Sequence, residues 1–209
     1  MKKLLVFAVV ICCTFGLFAK FGDPKPAIIQ PTFGVGPAFS TEDPENQFGI
    51  SVGADVDWNV WEKATTKAHD GSGKMYAGLD LAFEYWVPTH DGDTKWHIMR
   101  LPLQGNFMYE FDTSKMEGAG PLKAVGPWMS MGVSLDFGAF GGDGAKALND
   151  NTDNEDKVRA SFVWGIGASL AFEGNWVLKG GFGGNAGGGH HGWHWNTDSH
   201  FMAEVAYRF

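Results

Sequence analysis

From Phe48 to Val60 the even positions read Phe48, Ile50, Val52, Ala54, Val56, Trp58 and Val60, while the odd ones read Gly49, Ser51, Gly53, Asp55, Asp57 and Asn59. A period of two over that length predicts a strand with one apolar face. The same alternation recurs over Met75–Val87, Met99–Phe111, Met129–Ala139 and Val158–Phe172, and more weakly over Ile28–Phe39 and Trp176–Gly184. It returns in the last nine residues, FMAEVAYRF, where Phe201, Ala203, Val205, Tyr207 and Phe209 share a face. The count is about eight strands, with no convincing helix between them. Several exceed the usual ~5–6 residues of a globular strand and reach the ~9–11 needed to cross a bilayer. The predicted fold class is all-β, an antiparallel up-and-down barrel.

The second face decides which way such a barrel is turned. A soluble barrel shows water a face rich in Lys, Glu, Thr and Arg. Here that face is mostly Gly, Ser and Asp, small groups that suit a narrow interior. A transmembrane barrel places bulky apolar side chains toward lipid and polar ones toward the lumen, and this inverted arrangement is the one expected. With both termini on the periplasmic side, one level collects Trp58, Trp61, Tyr109, Phe111, Phe172, Trp176, Tyr207 and Phe209. The other collects Phe39, Phe48, Tyr85, Trp86, Trp96, Phe137, Phe140 and Phe162. These are two aromatic belts, as lipid interfaces select, although Trp86 and Trp96 carry inward parity. Ser40–Gln47, His90–Thr94, Gly141–Asp156 and Asn185–Ser199 face outward as loops, and Glu173–Asn175 is a tight periplasmic turn. The connections near Glu62–Gly73 and Asp112–Lys123 are long for periplasmic turns, which keeps ten strands open as an alternative.

Composition narrows the classes further. Lys2 and Lys3 precede an apolar run to Phe18, and Ala19 offers a cleavage point, so residues 1–19 read as a signal peptide and 20–209 as the barrel domain. Both cysteines, Cys12 and Cys13, lie inside that signal, leaving no thiol or disulfide chemistry for the exported chain. Lipoprotein-type cleavage before either is the alternative, against which Val9, Val10 and Ile11 lack a small residue. Without Lys2 and Lys3 the chain carries 14 basic and 24 acidic residues. That balance excludes nucleic acid as a partner, because phosphates require a basic surface.

The closing pattern apolar-x-apolar-x-Tyr-x-Phe resembles the C-terminal signature of bacterial outer-membrane β-barrels. By that resemblance Phe201, Val205, Tyr207 and Phe209 form the membrane assembly signal, recognised by the barrel-assembly machinery before facing outer-membrane lipids. The small size and the ending Ala206 to Phe209 are similar to the OmpW/OprG family, which implies an outer-membrane location and passage of small, often hydrophobic, solutes. The polar lumen expected here departs from the hydrophobic interior of that family.

The candidate lumen residues are Asp80, Glu84, Arg100, Asp136, Arg159 and Glu204. They act either as a selectivity constriction or as an ion-paired plug, since eight strands leave an interior that side chains just fill. Arg100 is expected beside Glu84. Pro102 removes a ladder N–H from a central strand and marks either a lateral opening for an apolar solute or a β-bulge. His190, His191, His194 and His200, with Asp198, are metal-ligand types, but the intervening glycines supply no helical scaffold. No cofactor is expected. Nor is catalysis: His97 has no serine or carboxylate among its expected neighbours, and a nucleophile, base and orienting acid must lie within reach of one another. The function classes carried forward are a narrow channel or lateral-exit pathway and, alternatively, a non-conducting anchor whose outer loops bind host or matrix molecules.

Overall fold

The computed structural model describes residues 27–39, 47–63, 72–88, 98–114, 116–137, 158–189, 192–193 and 199–209. The signal segment, Trp96, His97, Phe140, His190, His191, His194, Asp198 and most of the outer-loop residues lie outside the described residues. The strands are β1 (Ile28–Phe39), β2 (Gln47–Lys63), β3 (Gly73–Pro88), β4 (Ile98–Asp112), β5 (Leu122–Phe137), β6 (Val158–Phe172), β7 (Trp176–Gly189), the two-residue β8 (Gly192–Trp193) and β9 (Ser199–Tyr207). Each of β1 to β7 pairs antiparallel with its sequence neighbour, β7 pairs with β9, and β9 pairs with β1. The ring is therefore closed by eight wall strands, and β8 is a short spur on β7. Closure leaves no unpaired edge, the condition for crossing hydrocarbon with strands.

The alternation sorts the side chains as the inverted arrangement requires. Phe33, Val52, Leu81, Leu135, Ile166 and Phe201 are exposed on the outer wall, while Gln30, Asp55, Asp57, Arg100, Ser134 and Lys179 are buried inside. A soluble barrel would show the reverse.

One connection at the end that carries the termini is a tight turn. Glu173–Asn175 forms one 3-10 turn, with Gly174 at φ 76° and Asn175 at φ 68°. The left-handed backbone of Gly174 explains that glycine. The connection from Asp112 to Leu122 is long but closed on itself: Thr113 N–H donates to Lys123 C=O at 2.9 Å and Met116 N–H to Thr113 C=O at 2.9 Å. It adds no strand, so the wall has eight strands rather than ten.

One register change corrects a parity conflict. Asn59 opposes Tyr76 and Trp61 opposes Met75, so Val60 is a bulge residue. The extra residue turns Trp61 out, although strict alternation from Trp58 would turn it in. The terminal-end belt then forms in contact: Trp61 lies tilted against Tyr109 at 6.0 Å between ring centres, and Tyr109 meets Phe111 at 4.6 Å, Trp176 meets Tyr207 at 5.1 Å and Tyr207 meets Phe209 at 5.0 Å, each edge to face. At the opposite end Trp86 leaves the belt. It points inward and is 0% exposed, because it shares the face of Ala82 and Glu84 and finds space over Gly49, where a Cβ would come within about 2.5 Å of its ring.

Candidate functional site

The lumen holds the polar chemistry, in layers. Furthest from the termini, Trp86 packs with Ala38 and Met202 in a buried apolar cluster. Its indole N–H donates to Glu84 Oε2 at 2.9 Å. His200 lies against one part of the ring at 5.3 Å between centroids, and the Arg100 guanidinium lies 5.5 Å from the ring centre, within cation–π range.

Arg100 and Glu84 are cross-strand partners, as expected from the hairpin. Arg100, 3% exposed, also reaches Asp136, with Nε 3.8 Å from Oδ1. Asp136 accepts from Ser134 Oγ at 2.6 Å and Ser161 Oγ at 2.8 Å, and the Asn185 amide sits against both Asp136 and Arg100. Arg159 opposes Asp136 in the register.

The middle layer centres on Lys179. Its ammonium pairs with Asp55, and Glu204 stands opposite it on β9. Asp80 faces Asp55 across β2 and β3. A cavity of about 60 Å³ lies here, bounded by Asp55, Asp80, Glu84, Lys179, Glu204 and Trp128 among others.

Nearer the termini the chain of contacts continues. The Gln30 amide donates to Asp57, Gln30 Oε1 accepts from Arg208 Nε at 3.0 Å, and Arg208 grips Glu110 with two N–H bonds of 3.0 and 2.5 Å. Arg208 also lies 5.5 Å from the Tyr76 ring centre. Below this layer a vestibule of about 330 Å³ opens, walled by Tyr76, Glu110, Lys123, Asn175, Trp176 and Arg208 among others.

Asp80, Glu84, Arg100, Asp136 and Glu204 are thus brought into one connected interior, joined by Asp55, Asp57, Glu110, Lys179 and Arg208. Face parity groups most of these in the sequence. It does not disclose the Gln30 and Trp128 contacts, which depend on partners far along the chain. Among these described lumen side chains seven are carboxylates (Asp55, Asp57, Asp80, Glu84, Glu110, Asp136, Glu204) and three are cations (Arg100, Lys179, Arg208).

Two prolines interrupt the ladder differently. Pro102 is fully buried, pairs with Ser134 on β5, and leaves β3 unpaired between Leu81/Leu103 and Glu84/Arg100. The register resumes unchanged, so the interruption is not a bulge. Pro127 opposes Ala168 and brings no N–H, yet the neighbouring Trp128 indole donates to the Ala168 carbonyl at 3.2 Å. The ring lies over Gly165, Gly167 and Gly181, where a Cβ would press on it. Gly181→Val is accordingly expected to lift Trp128 and cost about 1–3 kcal/mol, as overpacking does, read as a lower urea midpoint for the lipid-folded barrel. A wild-type midpoint would show that the ring is not seated there.

His200 stands beside Trp86, and among the described residues no group of three His, Asp or Glu is spaced to hold a metal ion. The other three histidines lie outside the described residues.

No protein-family model matches the chain, and neither does any curated protein. Solved structures do share the fold. Neisserial surface protein A (NspA) aligns over 90% of this chain and 99% of its own with 17% identity and a TM-score of 0.54. The N-terminal β-barrel domain of Pseudomonas aeruginosa OprF (12% identity, 90% and 100% covered, TM-score 0.45) and the outer membrane protein OprG from Pseudomonas aeruginosa (10%, 90% and 98%, 0.39) superpose less well. Closed eight-strand topology, apolar outer wall and polar interior define the class: a small β-barrel of the bacterial outer membrane.

Proposed function

We propose that this barrel is a sealed anchor, which holds its outer connections at the cell surface for ligand binding and does not conduct solutes. The filling of the lumen carries this reading: Trp86 is wholly enclosed, and the space in the middle layer amounts to about 60 Å³, room for a few waters only. The connections at residues 40–46, 89–97, 138–157 and 190–198 join strands at the end opposite the termini, and the third includes the acidic DNTDNED. Surface binding by loops held on a rigid wall is a common division of labour. On this reading the outward row Phe201, Val205, Tyr207 and Phe209 is the segment that the assembly machinery takes up before lipid covers it.

Proteoliposome swelling with small sugars and amino acids is expected to match empty vesicles. Capture of host-matrix proteins by intact cells is expected to fall at least tenfold when residues 138–157 are replaced by a short Gly/Ser linker. Swelling above the empty-vesicle rate, or capture unaffected by the replacement of every outer connection, would end the anchor reading.

A second reading is favoured by one observation, the lapse in β3–β4 pairing beside Pro102. A wall weakened there is a lateral exit by which an apolar solute passes from lumen to lipid. Pro102→Val restores the missing N–H and is expected to abolish uptake of such a solute under this reading, and to change nothing under the first.

A further inference from the structure

We infer that the barrier to permeation is concentrated in one apolar septum, Trp86 with Ala38 and Met202, and that the passage behind it is selective for cations. The inference rests on the sealed-anchor reading and locates the seal.

The layers of the lumen are unequal as barriers. With aromatic rings such as Trp128 and Tyr76 beside them, Lys179 and Arg208 are held chiefly by ion pairs and hydrogen bonds. Such groups exchange partners with water and ions, and a chain of them can part without exposing an apolar surface. The three side chains of the septum, as a packed apolar cluster, have no such exchange among themselves. The one polar atom of the Trp86 ring is committed to Glu84; the ring meets Ala38, Met202 and the Gly49 backbone, with the Arg100 guanidinium and the His200 imidazole 5.5 and 5.3 Å from its centre. Trp86 is 0% exposed, and an apolar constriction filled in this way excludes water, and with it any hydrated ion. It lies near the end of β3, at the mouth opposite the termini.

Behind the septum the sign of the lining is set. The cavity directly below is lined by Asp55, Asp80, Glu84 and Glu204 against Lys179, with His200 at its wall and Arg100 opposite Glu84, so carboxylates outnumber the cations. Rings of carboxylates favour cations and repel anions in narrow pores. The vestibule then continues the route toward the terminal end, its Arg208 already neutralised by Glu110.

The experiment is planar-bilayer recording in potassium chloride with the full-length folded barrel, its folding checked by heat-modifiable gel mobility. Wild type is expected to be silent. Trp86→Ala is expected to give discrete openings with a K⁺ over Cl⁻ permeability ratio above one, and Trp86→Phe, which keeps a ring, to remain closed. Adding Asp80→Asn and Glu204→Gln to the alanine variant is expected to bring that ratio toward one. Should the alanine variant fail to fold, Trp86→Leu carries the same expectation. A folded variant without the ring that stays silent places the barrier elsewhere and overturns the proposal, as does an anion preference. Conduction by wild type would instead defeat the sealed-anchor reading.

Discussion

Lys179→Met is expected to destabilise the barrel by about 3–5 kcal/mol, the usual cost of removing one partner from a buried ion pair. Lys179 is 8% exposed and is the cation that Asp55 and Glu204 share, with Asp57 close enough to feel its charge. Methionine preserves most of the side chain's length and apolar stem, so the loss reports the charge rather than a void. What is left is a set of carboxylates facing one another in a space with little water. Urea unfolding of lipid-folded protein, followed by gel mobility, reads the effect. Asp55→Asn in the same chain removes one of the stranded charges and is expected to recover part of the loss. A Lys179→Met barrel as stable as wild type would mean that the interior is hydrated enough to do without its central cation.

Ile166→Arg carries the second large effect, about 2–4 kcal/mol, the penalty for a cation at the midplane of the lipid face of a barrel. Ile166 is 53% exposed on the wall in the middle of β6. In a water-soluble barrel an exposed isoleucine can be exchanged for arginine within about 0.5 kcal/mol. The same substitution thus separates a wall that meets hydrocarbon from one that meets water. Equal unfolding midpoints for Ile166→Arg and wild type, both folded in vesicles, would contradict a lipid-facing position.

Much of this architecture is legible in the sequence because a strand's faces alternate with period two, a property that is local and survives in any context. Parity alone places Leu79, Val133 and Ile166 on one face and Asp80, Ser134 and Gly165 on the other, and hairpin register alone sets Arg100 opposite Glu84. Residue type puts Trp61 in its belt against its parity, and the Val60 bulge explains why it belongs there. Trp86 departs by the converse route: its size suggests a belt, yet its parity is inward, and parity prevails because Gly49 leaves space. The interior pairings are less readable. Arg208 and Glu110 are separated by 98 positions and Lys179 and Asp55 by 124, so only closure of the ring brings them together. Nor does the sequence reveal that Trp128 replaces the donor lost at Pro127, although the adjacency of the two, with Trp128 on the small-residue face, is a usable signal.

Joining β9 to β1 has a kinetic corollary. Contacts that span nearly the whole polypeptide are slow to form, because the entropy of closing long loops is spent before they contribute. The Arg208 grip on Gln30 and Glu110 joins positions 178 and 98 apart, so it waits for the last strand to reach the first. Zipping β9 onto β1 then forms the wall seam and the inner clasp in a single cooperative event, leaving little scope for a half-built barrel that is already stable.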